Sequence, residues 1–448
     1  MLRMTNIALA AAVISLGGAK GSPAPSPSNA SPEIRELLAA ALGAPAALCL
    51  LAATAVGNDR WAGPRDAPVT PLAYRMPRGA YGKRPAQGSP EDIPVLLESL
   101  STNDPCAREL AVRLLANYRA EQAAPGLLQR LSSADSMMRT LAAFGLGLLQ
   151  PSAAVGPLLQ AVRDPATGAR ADAVWALGRI GDGRAVRPVI NALGDGASMV
   201  REAAAEALGQ LDSTSAVPAL VRILRDDPVA SVRRTAVWAL GQLEAKQAAD
   251  VLALTLRGDR DAGVREMSAW ALGSIEARSA TPALLQAAQT DSDSAVRETA
   301  VWAIGELGDP SAAEALGQLL SKERNPEVRG TAAWALGQLE VHTAPKGLIG
   351  ALSDADADLR VRAAWALSEI ADSAAVPALL AALSREQDAH ARKAEVRALI
   401  HSGERSEQLT ELLRSRDPEV REAAIRGIAG HGQSDPWPWP EPRPRPFP

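Results

Sequence analysis

An arginine recurs along most of this chain at Arg108, Arg139, Arg170, Arg201, Arg233, Arg265, Arg297, Arg329, Arg360, Arg392 and Arg421, in steps of 31 or 32 residues until a last step of 29. A unit of about thirty residues cannot enclose a core of its own, so repeats of this length must bury their faces on one another. Each arginine opens a segment with helical periodicity, such as Val232-Arg-Arg-Thr-Ala-Val-Trp-Ala-Leu-Gly-Gln-Leu243. Each such segment is followed by a second apolar run, such as Pro282-Ala-Leu-Leu-Gln-Ala-Ala288, so the repeat is a pair of helices. Asp104-Pro105, Asp164-Pro165, Asp227-Pro228, Asn325-Pro326 and Asp417-Pro418 read as the start of the arginine helix. There a side-chain oxygen caps free N–H groups and proline gives up no bond. The chain is thus expected to be all-α, a stack of about eleven helical hairpins.

Composition fits close helix packing: 47% of residues are hydrophobic but only 3% aromatic, which leaves Ala, Leu and Val to make the core. The segment V-R-x-x-A-x-x-A-L-G-x-L, seen at Val264 to Ile275 and Val296 to Leu307, resembles the HEAT-like repeats named after phycobilisome lyases, over about Ser89 to Gly430. The resemblance implies a right-handed α-solenoid in residues 89–431, with its second helices lining a concave, partner-binding surface. Glu395 departs from the pattern, standing where a small alanine is expected. The repeats at Arg392 and Arg421 are also poorly patterned and read as the end of the array. The aligned arginines are expected to be structural, hydrogen-bonding acidic turns.

The amino-terminal residues 1–56 read as a signal sequence, a membrane anchor or both. Arg3 precedes an apolar run from Ile7 to Leu16 that is too short to span a bilayer. A second run, Leu37 to Val56, is long enough to span and contains Ala53-Thr54-Ala55, an A-x-A pattern like a cleavage site. Cleavage and anchoring both remain open at this point, and either places the array outside the cytoplasm, in the periplasm or on the membrane facing it; Gly43, Pro45 and the Pro/Ser stretch between the runs also leave room for a later start codon or for a pair of alanine-rich soluble helices. Residues 57–88, rich in proline and arginine, read as a disordered linker. The two cysteines, Cys49 and Cys106, cannot form a disulfide framework.

The tryptophans suggest a surface. On a helical wheel Val232, Ala236, Ala239, Leu240 and Leu243 form one face, and Trp238 falls roughly 145° away. The same slot reads Arg113, Phe144, Trp175, Glu206, Trp238, Trp270, Trp302, Trp334, Trp365, Arg397 and Arg426, and its five consecutive tryptophans are flanked one turn away by residues that include Arg234, Gln242, Glu266, Glu298, Glu306, Gln338 and Glu369. Second helices spaced by about 10 Å would hold the rings too far apart to stack. The ladder is therefore expected to be an outward strip that binds a protein or peptide. The competing expectation is that each ring lies in the groove between repeats.

After the array, residues 432–448 read as a tail whose segment Asp435 to Pro448 has proline at every second position, either a disordered spacer or an extended arm offering Trp437, Trp439, Arg443, Arg445 and Phe447 for docking. A net charge of −4 and an acidic second-helix face argue against nucleic acid as a partner. The histidines are isolated and none is followed by glutamate, so no metal, cofactor or catalytic residue is assigned. The expectation is a non-catalytic binding scaffold. Its alternative is an enzyme or accessory of the bilin-lyase-like class, or the partner-binding part of a BlaR-like membrane peptidase system.

Overall fold

The computed structural model describes residues 31–42, 89–402, 410, 413–415 and 418–428. Among the described residues the regular elements are α-helices and short 3-10 turns, with no strand, as an all-α solenoid requires. The linker 57–88 and the tail 432–448, with Trp437, Trp439, Arg443, Arg445 and Phe447, lie outside them. No described helix is long and apolar enough to cross a membrane.

The chain divides between Ile223 and Leu224 into two compact units. The first holds α1 (Pro32–Ala41), α2 (Asp92–Ser99), α3 (Pro105–Leu115), α4 (Ala120–Arg130), α5 (Ser136–Leu149), α6 (Val155–Ala161), α7 (Thr167–Ile180), α8 (Val186–Ala192) and α9 (Ser198–Gln210); α10 (Val217–Asp226) contains the division. In this unit the arginine helices α3, α5, α7 and α9 pack in succession on one another.

The second unit holds α11 (Ala230–Gln242), α12 (Ala249–Gly258), α13 (Ala262–Ser274), α14 (Thr281–Thr290), α15 (Ser294–Leu307), α16 (Ala313–Lys322), α17 (Pro326–Gln338), α18 (Lys346–Ala351), α19 (Ala357–Ile370), α20 (Val376–Leu383), α21 (Ala389–His401) and α22 (Pro418–Ile428). Its arginine helices α11, α13, α15, α17, α19, α21 and α22 likewise stack one on the next. The expected apolar face of α11 is buried, but so are Thr235, Val237, Trp238 and Gly241 around the rest of the helix. A helix buried nearly all round belongs in the middle of a stack. The first helices of the hairpins form the outer layer: α12 buries Val251, Leu252 and Leu256 while Asp250, Leu254 and Arg257 face solvent.

Each of eight arginine helices ends on a residue in the left-handed region, namely Gln150, Gly181, Asp212, Glu244, Glu276, Gly308, Glu340 or Ala371. That reversal stops the helix and returns the chain toward the next hairpin. Only two of these residues are glycine; the others carry the steric cost of a Cβ in that conformation. Asp104 and Asn325 cap α3 and α17 as the sequence suggests, each accepting two backbone N–H bonds. Two other expected caps are misplaced. The helices begin later, after Ala166 and Val229, so Asp164 and Asp227 stand two residues before the N-cap. Asp417 lies outside the described residues.

Candidate functional site

The arginines and the displaced acids form one repeating device. Arg265 donates from Nε and Nη2 to both carboxylate oxygens of Asp291, at 2.7 and 2.8 Å, and from Nη1 to the carbonyl of Asp259 at 3.0 Å. Asp259 in turn holds Arg233 in the same bidentate fashion, at 2.8 and 2.7 Å. Asp259 therefore receives one arginine on its carboxylate and the next on its carbonyl, as do Asp164, Asp195, Asp291 and Asp354. The pattern continues through Arg297 and Glu323, Arg329 and Asp354, and Arg360 and Glu386. In the first unit Arg139 pairs with Asp164 and Arg170 with Asp195. Asp164 and Asp195 lie below the usual carboxylate range chiefly because of the arginine hydrogen bond, and Glu386 does so through Arg360. The arginines are structural, as expected. Apart from Asp164, which the sequence marks only as a helix cap, the individual acids were not singled out, although they recur 25 or 26 residues after Arg139, Arg170, Arg233, Arg265, Arg297, Arg329 and Arg360.

The outward tryptophan strip is corrected by the structure. Trp175, Trp238, Trp270, Trp302, Trp334 and Trp365 are all buried, none more than 9% exposed, and Phe144 is buried with them. Wheel angle sets where the Cβ leaves its own helix, but an indole is long enough to lie sideways against the preceding arginine helix. A glycine there makes the room: a Cβ at Gly241 would stand 2.6 Å from Trp270 Cζ3, and one at Gly305 would stand 2.5 Å from Trp334 Cζ3. Gly147 meets Trp175 and Gly337 meets Trp365 in the same way, while a Cβ at Gly273 would stand 3.1 Å from both Ala303 and Trp302. The expected gaps between rings are also absent at one step, because Phe144 and Trp175 stack with centroids 5.2 Å apart. Arg113 and Arg179 lie over those two rings, at 5.3 and 5.7 Å from the centroids. The sequence signal was present in the glycine that stands eight residues after Arg139, Arg170, Arg201, Arg233, Arg265, Arg297 and Arg329, mostly as A-L-G.

What this face offers to solvent is therefore the polar rows beside the indoles. Glu306, Gln338 and Glu369 are exposed, while Arg234, Gln242, Glu266 and Glu298 are half-buried. Glu266 on α13 and Glu298 on α15 occupy equivalent positions in adjacent repeats. Burial raises the pKa of Glu266, and the charges of Asp293 and Glu298 raise it further. Burial also raises Glu298, with a contribution from Glu327, against a Thr331 hydrogen bond and Arg362. Arg234 and Arg362 are the cations that bear on these two carboxylates.

Among the described residues no group of three His, Cys, Asp or Glu side chains is placed to hold a metal ion. His342 and His390 are exposed and His401 contacts the Ser368 carbonyl at 3.2 Å, while His431 lies outside the described residues.

Stacked helical hairpins with an arginine-to-acid ladder define an α-solenoid. The chain belongs to the HEAT-repeat family: the family model matches residues 124–197, 155–241, 223–300, 249–337, 281–353, 313–400 and 345–429, together well over half the chain. Among solved structures it is similar to the complex of CpcE and CpcF of phycocyanin lyase from Nostoc sp. PCC7120, at 24% identity over 50% of this chain and 91% of that one, with a TM-score of 0.34. It is also similar to importin beta crystallised in ammonium sulfate, at 16% identity over 88% of this chain and 63% of that one, with a TM-score of 0.59. Yeast importin-beta, Kap95p, matches at 15% identity over 95% of this chain and 68% of that one, with a TM-score of 0.50. The likeness to the two importins shows the fold alone. No curated protein matches the chain.

Proposed function

We propose that this protein is a non-catalytic scaffold that holds a basic segment of a protein partner on the arginine-helix face of its second unit. The observation that carries the reading is the pair Glu266 and Glu298, two half-buried carboxylates in adjacent repeats that burial and neighbouring acids both disfavour as anions. A lysine or arginine laid along the face would relieve that repulsion, and Glu306, Gln338 and Glu369 extend the row of polar contacts. The tryptophans serve this surface from beneath, by holding successive helices in register. Export fits the same reading: Cys106 is disulfide-bonded, and such bonds persist in oxidising compartments.

The test is a titration of basic, neutral and acidic unstructured peptides of matched length against the wild type and the E266Q/E298Q variant. Only basic peptides are expected to bind, with affinity falling as salt rises and about tenfold weaker binding to the variant. Equal binding of neutral or acidic peptides, or an unaffected variant, would overturn the assignment.

A further inference from the structure

The amino-terminal segment poses a question that the sequence leaves open, because its second apolar run reads equally as a membrane anchor and as the approach to a cleavage site. The folded chain makes a different use of the start of that run. Helix α1 packs against α3 and buries Leu38 and Ala41. Its entry is fixed by a buried polar contact: the Ser31 backbone N–H donates to Asp92 Oδ1 at 2.6 Å, and the Tyr118 hydroxyl donates to Asp92 Oδ2 at 2.9 Å. Asp92 is fully buried and Tyr118 nearly so. Without Ser31, one oxygen of a buried carboxylate would lose this donor, a costly change in a low-dielectric site.

A stack of repeats exposes the apolar flank of its terminal hairpin unless something covers it. Helix α1 supplies that cover for α3. Cys106, the second residue of α3, is buried and disulfide-bonded. The chain has one other cysteine, Cys49, which lies outside the described residues. It follows Ala41 by eight residues, a length of chain that reaches at most about 27 Å.

We propose that residues 31–42 are a permanent amino-terminal cap of the array, fastened to the first repeat through the Cys106 disulfide, and that any leader is released upstream of Ser31. Cleavage after Ala53-Thr54-Ala55 would remove both the cap and the only intrachain partner available to Cys106. The bond forms by exchange with a dithiol oxidoreductase in its disulfide form. One cysteine thiolate attacks that disulfide and releases a thiolate; the other then attacks the mixed disulfide, closing the new sulfur–sulfur bond as the oxidant leaves as a dithiol.

The full chain, exported from a bacterial host, is mapped by amino-terminal peptide sequencing and by alkylation with and without prior reduction. The expected product begins at or before Ser31 and takes up alkyl groups, two per chain, only after reduction. An amino terminus beyond Ala55, or alkylation of Cys106 without reduction, would overturn the proposal. A second measurement separates fastening from mere oxidation. In the C106S variant, amide exchange of residues 32–41 is expected to accelerate about tenfold or more while α5 and α7 keep their protection. Unchanged exchange in α1 would show that the bond does not hold the cap and would equally defeat the proposal. None of these outcomes depends on which partner the second unit binds.

Discussion

Glu395 offers the sharpest test of how this stack is held together. It lies on α21 three residues after Arg392, the slot filled by Ala236, Ser268, Ala300, Ala332 and Ala363 in the repeats before it, and like them it is 0% exposed. Neither carboxylate oxygen has a hydrogen-bond partner. Burial first, and then the like charge of Glu386, push its pKa to about 8, only partly offset by Arg360, Arg385 and Arg392. The unfolded chain holds the same group at an ordinary glutamate value, so between the two values folding requires uptake of a proton. The resulting cost is absent below about pH 4, grows as pH rises, and is complete above about pH 8. At about pH 7 it amounts to roughly 3 kcal/mol. Glu395→Ala restores the residue type of the other repeats and removes that cost. The variant is expected to match the wild type within about 1 kcal/mol near pH 5 and to be about 2 to 3 kcal/mol more stable near pH 7, with Glu395→Gln showing the same flattened pH dependence. Urea unfolding followed by circular dichroism across this range measures the difference, and amide exchange in residues 389–402 localises it, since repeats open locally. A stability difference that is flat in pH, or a variant weaker than the wild type near pH 7, would mean that the folded protein holds Glu395 as a compensated anion.

Three further substitutions probe the rest of the framework. Arg265→Ala leaves the Asp291 carboxylate half-desolvated without its bidentate partner and is expected to cost about 3 kcal/mol in urea unfolding, with Arg265→Lys recovering only part because an ammonium cannot make the fork. Gly305→Ala drives a methyl group into the Trp334 ring and should cost about 2 kcal/mol, with a change in tryptophan emission; an unchanged midpoint and spectrum would mean the helices separate freely. Ala371→Gly relieves a left-handed residue at φ 54° and should stabilise the protein by about 0.5 to 1 kcal/mol; a lower midpoint would refute the assignment of strain there.

The sequence alone was enough to determine the repeat and the helices. A residue recurring every 31 or 32 positions, with apolar positions at helical spacing between recurrences, admits little besides stacked hairpins, since neither helix can hide its apolar face within the hairpin. It also marked Glu395 as foreign to its slot, because ten other repeats supplied the comparison. Three things waited for the tertiary structure. The wheel placed Trp238 opposite the apolar face of α11, yet a wheel has no neighbouring helices, and only the packed stack shows glycines admitting the rings between repeats. The misplaced caps Asp164 and Asp227 had the same origin: a local rule favours Asp-Pro at a helix start, but the array draws Asp164 to the arginine of the preceding repeat. The amino-terminal run was ambiguous because hydropathy does not distinguish a segment that enters lipid from one that covers a protein face. The packing of residues 32–41 on α3 and the Ser31 bond to Asp92 are visible only in the tertiary structure, since they exist only once distant parts of the chain have come together.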